Sequence, residues 1–236
     1  MAIWMVLAFQ AGLLNIGGFL ACQTFVSHVT GYATLFGYEV HRMDFIFSLG
    51  MLLVPLFFLL GSVLSGVLVD LRIKQHRQPR YYVVFGLMAL LLLYVVVAGF
   101  NGLFGPFGEP IEESKDYTLL ATLCLVCGIQ NGTITLVSKS VVRTTHLTGV
   151  TTDLGIGIVR VLNAKKLRGK VDEEWRANLM RAGVIVFFIL GSTLGYKIYE
   201  RWAFRGFLAP FAICLGLFLM TLYFQVIRKR LKSLWF

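Results

Sequence analysis

Six stretches of the chain contain no Asp, Glu, Lys or Arg: residues 1–38, 45–69, 81–108, 117–138, 182–196 and 206–227. A helix needs about 20 apolar residues to cross the hydrocarbon core of a bilayer. The pattern therefore predicts an all-α transmembrane fold with six spanning helices. Stretch 182–196 is short and would rely on Lys197 and Arg201 snorkelling to the interface. Pro55 and Pro210 fall inside spans, where kinks are expected. Stretch 1–38 is too long, since as one helix it would measure about 57 Å against a core of about 30 Å. It is expected to break, with Gly12, Gly17, Gly18 and Gly31 as places to do so. The piece beyond the break reads as a shorter half-helix or a re-entrant segment, which is tolerated only where protein or a water-filled cavity covers it.

A second copy of this pattern lies in mid-chain. Residues 28–37 and 146–155 agree at His28/His146, Thr30/Thr148, Gly31/Gly149, Thr34/Thr152 and Gly37/Gly155. Upstream, Gly12-x-x-Asn15 matches Gly128-x-x-Asn131, and Gly128, Gly132 and Gly149 would break the second copy. Downstream, Leu60-Gly61-Ser62-Val63-Leu64 matches Leu190-Gly191-Ser192-Thr193-Leu194. Three landmarks in one order point to a duplication. Each copy contributes three crossings, an odd number, so the halves are expected to be inverted repeats, an arrangement that recurs in secondary transporters. The expected organisation is a first three-helix repeat over 1–108, an acidic external loop over 109–116, and a second repeat over 117–236 carrying a basic cytoplasmic insertion at 160–181. The first segment has no positive n-region and recurs in mid-chain, so it is not read as a signal peptide.

Composition agrees with the pattern. Of 236 residues, 57% are hydrophobic and 14% charged, and mean hydropathy is +0.76. Soluble domains carry about 25% charged residues, so a soluble enzyme, a disordered tail and a secreted disulfide scaffold are excluded. The net charge of +10 reports orientation. Stretches 70–80, 160–181 and 228–232 hold 15 of the 22 basic residues, and six crossings with both termini cytoplasmic place all three inside. Lys139 and Arg143 are then left at membrane depth. Within 160–181, Asp172-Glu173-Glu174 suits a helix start, and Val171, Trp175 and Leu179 share one face. That reads as an interfacial helix on anionic lipid, with no need to invoke nucleic acid. Cys22, Cys124, Cys127 and Cys214 follow no disulfide or zinc spacing and are expected to be buried packing.

Candidate chemistry gathers around the two breaks. On a helix, Gln23, Ser27, Thr30 and Thr34 share a stripe, with Thr145, Thr148 and Thr152 as its counterpart. Such hydroxyls line a polar cavity or bond back to their own helix. His28 and His146 read either as a titrating, solute-binding pair or as helix-terminal residues that position the breaks. Asp153 lies two turns after His146, where the first copy has Leu35, and Arg143 also lacks a charged counterpart. Ionisable residues at membrane depth default to functional candidates, the plain alternative being an internal Arg143–Asp153 pair. Asn15 and Asn131 would contact a solute or cap the broken helices. His28, His146 and Asp153 have metal-ligand chemistry but no metal spacing, so no metal is expected. No catalytic or dinucleotide motif occurs, and neither an enzyme nor a cofactor is expected.

Gly12-x-x-Asn15, Phe25-Val26-Ser27-His28-Val29-Thr30-Gly31, Gly128-Ile129-Gln130-Asn131 and Arg143-Thr144-Thr145-His146-Leu147-Thr148-Gly149 resemble the YoaK-like family of bacterial membrane proteins, a domain of unknown function. The likeness covers essentially the whole chain. One departure is Tyr32, where the family commonly has Asn after the first Thr-Gly. The resemblance implies a small multi-spanning inner-membrane protein that transports something. The combined expectation is a secondary transporter for a small polar solute, neutral or anionic, proton-coupled through His28, His146 or Asp153. Its site would lie at the midplane between the two broken segments. A passive channel and a non-transporting sensor or interaction protein are the alternatives. Expected partners are bilayer lipid, the solute or ion itself and, as small six-helix proteins often pair, a second copy.

Overall fold

The computed structural model describes residues 2–41, 45–109, 114–138, 147–163 and 171–228. Apolar segments that must satisfy every backbone group internally form helices, and among the described residues there is no strand. In chain order the helices are α1 (Ala2–Cys22), α2 (Val29–His41), α3 (Phe45–Ser65), α4 (Leu71–Lys74), α5 (Tyr81–Phe100), α6 (Ser114–Val137), α7 (Leu147–Leu162), α8 (Val171–Trp202) and α9 (Leu208–Leu222). A π-helical turn, Gly66–Asp70, carries α3 into α4, and a 3-10 turn, Ala203–Phe207, joins α8 to α9. Five helical stretches are long and apolar enough to cross a membrane: Ile3–Cys22, Gly50–Lys74, Tyr81–Phe100, Tyr117–Val137 and Asp172–Ile227. The last of these, at 56 residues, contains both α8 and α9.

The exterior is apolar and the interior partly polar. Leu59, Leu90, Val97, Phe100 and Leu219 are exposed, while Gln10, Ser65, Gln130, Asn131 and Thr133 are buried. A soluble bundle does the reverse; this distribution fits a multi-pass membrane protein. α1 packs along α8, α3 along α6 and α5 along α9, while α2 and α7 lean on α3 and α8 respectively.

The two long crossings share one device. A Cβ on Gly12 would strike the Phe188 carbonyl and lie 2.8 Å from the Ser192 nitrogen, and one on Gly191 would strike the Phe9 carbonyl. In the other crossing a Cβ on Gly128 would strike the Phe58 carbonyl, and one on Gly61 would lie 2.6 Å from the Ile129 nitrogen. Ser192 donates to the Gly12 carbonyl and Ser62 to the Gly128 carbonyl, both at 3.3 Å. Small residues of this kind let membrane helices approach backbone to backbone.

Several expectations are corrected here. α1 runs unbroken through Gly12, Gly17 and Gly18, because those glycines serve close approach rather than freedom of φ. The break falls at residues 23–28, which contain no glycine, and Gln23 takes the left-handed φ of 55°. Stretch 182–196 is not a short span; it belongs to the 32-residue α8, whose first turn holds Asp172, Glu173 and Glu174. Residues 171–181 therefore extend that helix rather than forming a separate interfacial one. Pro210 sits in the first turn of α9, where helix N–H groups lack partners anyway, so no kink is required. Pro55 lies inside the unbroken α3. The four cysteines are buried.

Gly191→Ala and Gly128→Ala should destabilise the protein by about 1–3 kcal/mol through overpacking, seen as a lowered melting temperature in detergent. Gly37→Ala and Gly216→Ala, where a Cβ meets nothing within 4 Å, should melt no lower than the parent. Equal melting of all four variants would contradict the close-approach role.

Candidate functional site

The polar residues of the first break are tied down one by one. Gln23 ends α1 and donates from Nε2 to the Gly108 carbonyl at 3.2 Å, while the Gly108 N–H bonds to Ala21 O at 3.3 Å. Gly108 has φ of +94°, a conformation that suits its missing side chain, and so the loop after α5 can close over the end of α1. The buried Val26 folds back onto Gly18, and Phe25 stacks on Phe19 with ring centroids 4.8 Å apart. Ser27 donates to Asn15 Oδ1 at 3.0 Å, and the Thr24 and Tyr32 hydroxyls are hydrogen-bonded to each other.

His28 stands immediately before α2, and its carbonyl accepts the Tyr32 N–H at 3.2 Å. Its exposed ring lies against Gly31 and edge-on to Phe25. The expected helical stripe is thereby corrected: Gln23 and Ser27 belong to the break, and only Thr30 and Thr34 continue on α2. Both threonines are exposed, and Thr34 donates back to the Thr30 carbonyl at 3.0 Å. On α7, Thr148, Thr152 and Asp153 are exposed, and Thr152 donates back to Thr148 at 3.0 Å. Arg143, Thr145 and His146 lie outside the described residues, as does Lys139. The structure thus joins Asn15 to Ser27. Among the described residues no hydrogen bond links a candidate on α2 to one on α7.

Asn131 sits elsewhere, buried on α6 beside the end of α3. With Ser62, Gly66, Asp70, Gly132 and Thr135 it lines a cleft of about 310 Å³. Ser62 donates to the Phe58 carbonyl at 3.1 Å as well as to Gly128, and Ser65 donates to the Ile129 carbonyl at 2.6 Å and pairs with Thr133 at 3.0 Å. Asp70 pairs with Lys74 at 3.0 Å, one turn on at the solvent-facing edge.

Two buried amides were not singled out from the sequence. Gln130 donates to the Leu7 carbonyl at 2.7 Å, tying α6 to α1, and Gln10 donates to Cys214 Sγ at 2.8 Å, tying α1 to α9. A search for charges passes over them; a search for any strongly polar side chain inside an apolar helix would have found both. An ion pair also lies where none was expected: Arg181 donates to Glu174 and to Asn178, each at 2.7 Å, and Arg160 reaches Glu174 at 3.4 Å. This cluster fastens α7 to the start of α8, where a Cβ on Gly157 would strike Asn178. Among the described residues no group of three or more His, Cys, Asp or Glu could hold a metal ion.

A family model described as "Protein of unknown function (DUF1275)" matches residues 3–220. No curated protein and no solved structure matches the chain.

Ser27→Ala should cost about 1 kcal/mol, because it removes the donor to Asn15 from the break. Thr34→Val should cost less, since that hydroxyl bonds only to its own helix. A thermal melt in which Ser27→Ala is as stable as Thr34→Val would show that the Ser27–Asn15 bond does not hold the break.

Proposed function

The chain belongs to the DUF1275 family, and we propose that it works there as a secondary transporter for a small polar solute, with anions the first class to test. In this reading the chain crosses a bacterial inner membrane six times, the sixth crossing obtained by dividing Asp172–Ile227 at the Ala203–Phe207 turn. Ala203 has φ of +46°, and a Cβ on Gly206 would meet the Tyr199 ring, as a reversing chain requires. Both termini face the cytoplasm, because that orientation puts the three basic stretches inside. The two halves are inverted repeats.

The observation that carries the reading is the crosswise exchange between halves. The first long helix of each half (α1, α6) packs on the third helix of the other (α8, α3), through the same glycine and the same serine-to-carbonyl bond. Each first helix is followed by a short one, α2 of 13 residues and α7 of 16, about 20 and 24 Å long and too short to cross. Two halves interlocked at equivalent points, each with a broken first segment, have the makings of alternating access by rocking. Asn15, Ser27, Thr30, Thr34, Asn131, Thr145, Thr148 and Thr152 would bond the solute. Arg143 would favour an anionic group, and His28, His146 and Asp153 would carry the proton.

Topology and solute binding test separate parts of this reading. All four native cysteines are buried, so added ones can be labelled selectively. In intact cells an impermeant maleimide should label Leu103→Cys but not Gln75→Cys; the opposite result would reverse the orientation. In a thermal-shift screen of organic anions, nucleobases, amino acids and sugars at two pH values, one class should stabilise the protein. At 100 times the dissociation constant the gain is about 2.7 kcal/mol. His28→Ala and Asp153→Asn should weaken that shift. No shift from any compound, in a protein that melts cooperatively, would overturn the transporter reading.

A further inference from the structure

We infer that the cleft between the end of α3 and α6 is a binding site for a hard monovalent cation of the sodium type. Its polar lining is Ser62, Asp70, Asn131 and Thr135, which offer oxygen donors and no imidazole or thiolate. Oxygen-only surroundings select hard cations over transition metals. Asp70 is the only formal charge among the lining residues. One negative charge is balanced by one monovalent ion, whereas Mg²⁺ or Ca²⁺ would leave an excess positive charge among apolar helices, where unbalanced charge is costly.

Two oxygens of the lining are left without partners. Asn131 Oδ1 and Thr135 Oγ1 are buried and have no hydrogen-bond partner among the described residues. Asn131 itself is 8% exposed. Thr34, Thr122, Thr152, Thr193 and Thr221 donate to the carbonyl four residues back, and Thr135 does not. Buried polar atoms are rarely left in this condition; Gln10 Oε1, Arg181 Nε, Tyr199 Oη and Gln225 Oε1 share it, but none of these lines the cleft beside the Asp70 carboxylate. A cation seated between Asn131 Oδ1, Thr135 Oγ1 and the Asp70 carboxylate would satisfy both oxygens. Asp70 is 34% exposed and its present partner, Lys74, is 74% exposed. Such an exposed pair is worth at most about 1 kcal/mol and can yield to an ion.

The backbone at the end of α3 shapes the cleft. The π-helical turn Gly66–Asp70 ends at the carboxylate, and π turns in helices occur frequently at functional sites. A Cβ on Gly66 would meet nothing within 4 Å. Matching Leu60-Gly61-Ser62 to Leu190-Gly191-Ser192 aligns Gly66 with Tyr196 and Asp70 with Glu200, and matching Gly128-x-x-Asn131 to Gly12-x-x-Asn15 aligns Gly132 with Ile16. At the matching positions the Tyr196 hydroxyl donates to Glu200 at 3.2 Å, and Asn15 accepts from Ser27. An acid and an amide are present there as well, but Tyr196 and Ile16 stand in place of Gly66 and Gly132, and both polar groups have partners. The inference concerns binding alone and stands whether or not a solute is transported.

The test uses the full-length protein in detergent, melted in sodium chloride and in N-methyl-D-glucamine chloride at one ionic strength, with equilibrium binding of radioactive sodium alongside. Sodium should raise the melting temperature saturably. Asp70→Asn should weaken sodium binding by at least about tenfold, the loss of about 1.4 kcal/mol, and Glu200→Gln should leave it unchanged. Gly66→Tyr, which copies Tyr196 into open space, should fold and lose the sodium effect, so the inference stays testable if Asp70→Asn fails to fold. A potassium effect equal to that of sodium keeps the site and widens its ion range. Identical melting in sodium and N-methyl-D-glucamine, retention of binding by Gly66→Tyr, or a response to Mg²⁺ or Ca²⁺ alone would overturn the inference.

Discussion

Direct contact between helix backbones at two glycine crossings is the constraint on which the rest of this structure depends. Lipid tails are as apolar as leucine, so helices in a bilayer gain little from burying leucine against leucine and associate through close packing and hydrogen bonds instead. Gly12 with Gly191, and Gly61 with Gly128, remove the side chains that would hold the backbones apart. Ser192 and Ser62 then reach across to a carbonyl of the facing helix. This places α1 and α6 in the middle of the bundle. Once there, Gln10 and Gln130 are buried, and their amide nitrogens find partners on neighbouring helices.

The same contact explains where the chain can bend. With residues 9–12 locked against α8, α1 stays straight to Cys22, and the break falls where the packing ends. Holding Gln23 in a left-handed conformation costs on the order of 1–3 kcal/mol. The surroundings offset it with Val26 against Gly18, Ser27 on Asn15, and the loop at Gly108 closing over the helix end. The remaining candidate polar groups are of two kinds. Thr34 of α2 and Thr152 of α7 bond back within their own helices, whereas Asn131 and Thr135 are buried beside a cleft that ends at a carboxylate.

The helix-packing positions were readable in one dimension, and the misreadings around the candidate site share a cause. The equivalence of Gly12 with Gly128 and of Ser62 with Ser192 was visible as repeated spelling, and each pair occupies matching contacts. Reading those glycines as break points failed because a glycine is used either for its freedom of φ or for its lack of a side chain. Choosing between the two requires knowing what lies opposite. Ser27 looked like part of a helical stripe because its spacing to Thr30 and Thr34 is helical. Its bond to Asn15, twelve residues earlier, exists only because the chain doubles back. Asp70 opens the basic stretch 70–80, and nothing local reveals that a π turn brings it beside Asn131 from a different helix.

By itself the sequence determined what depends on composition and local chemistry. Long uncharged runs become helices because a bilayer offers no water to their backbones, an uninterrupted 38-residue run has to break, and repeated small residues sit at repeated structural positions. Tertiary structure alone decided which glycine meets which backbone, that the break falls at residues 23–28, that residues 171–202 form one helix, and which polar atoms end without a partner. Each of these is set by contact between segments far apart in the chain. Local pattern constrains only what a residue meets within a turn or two of itself.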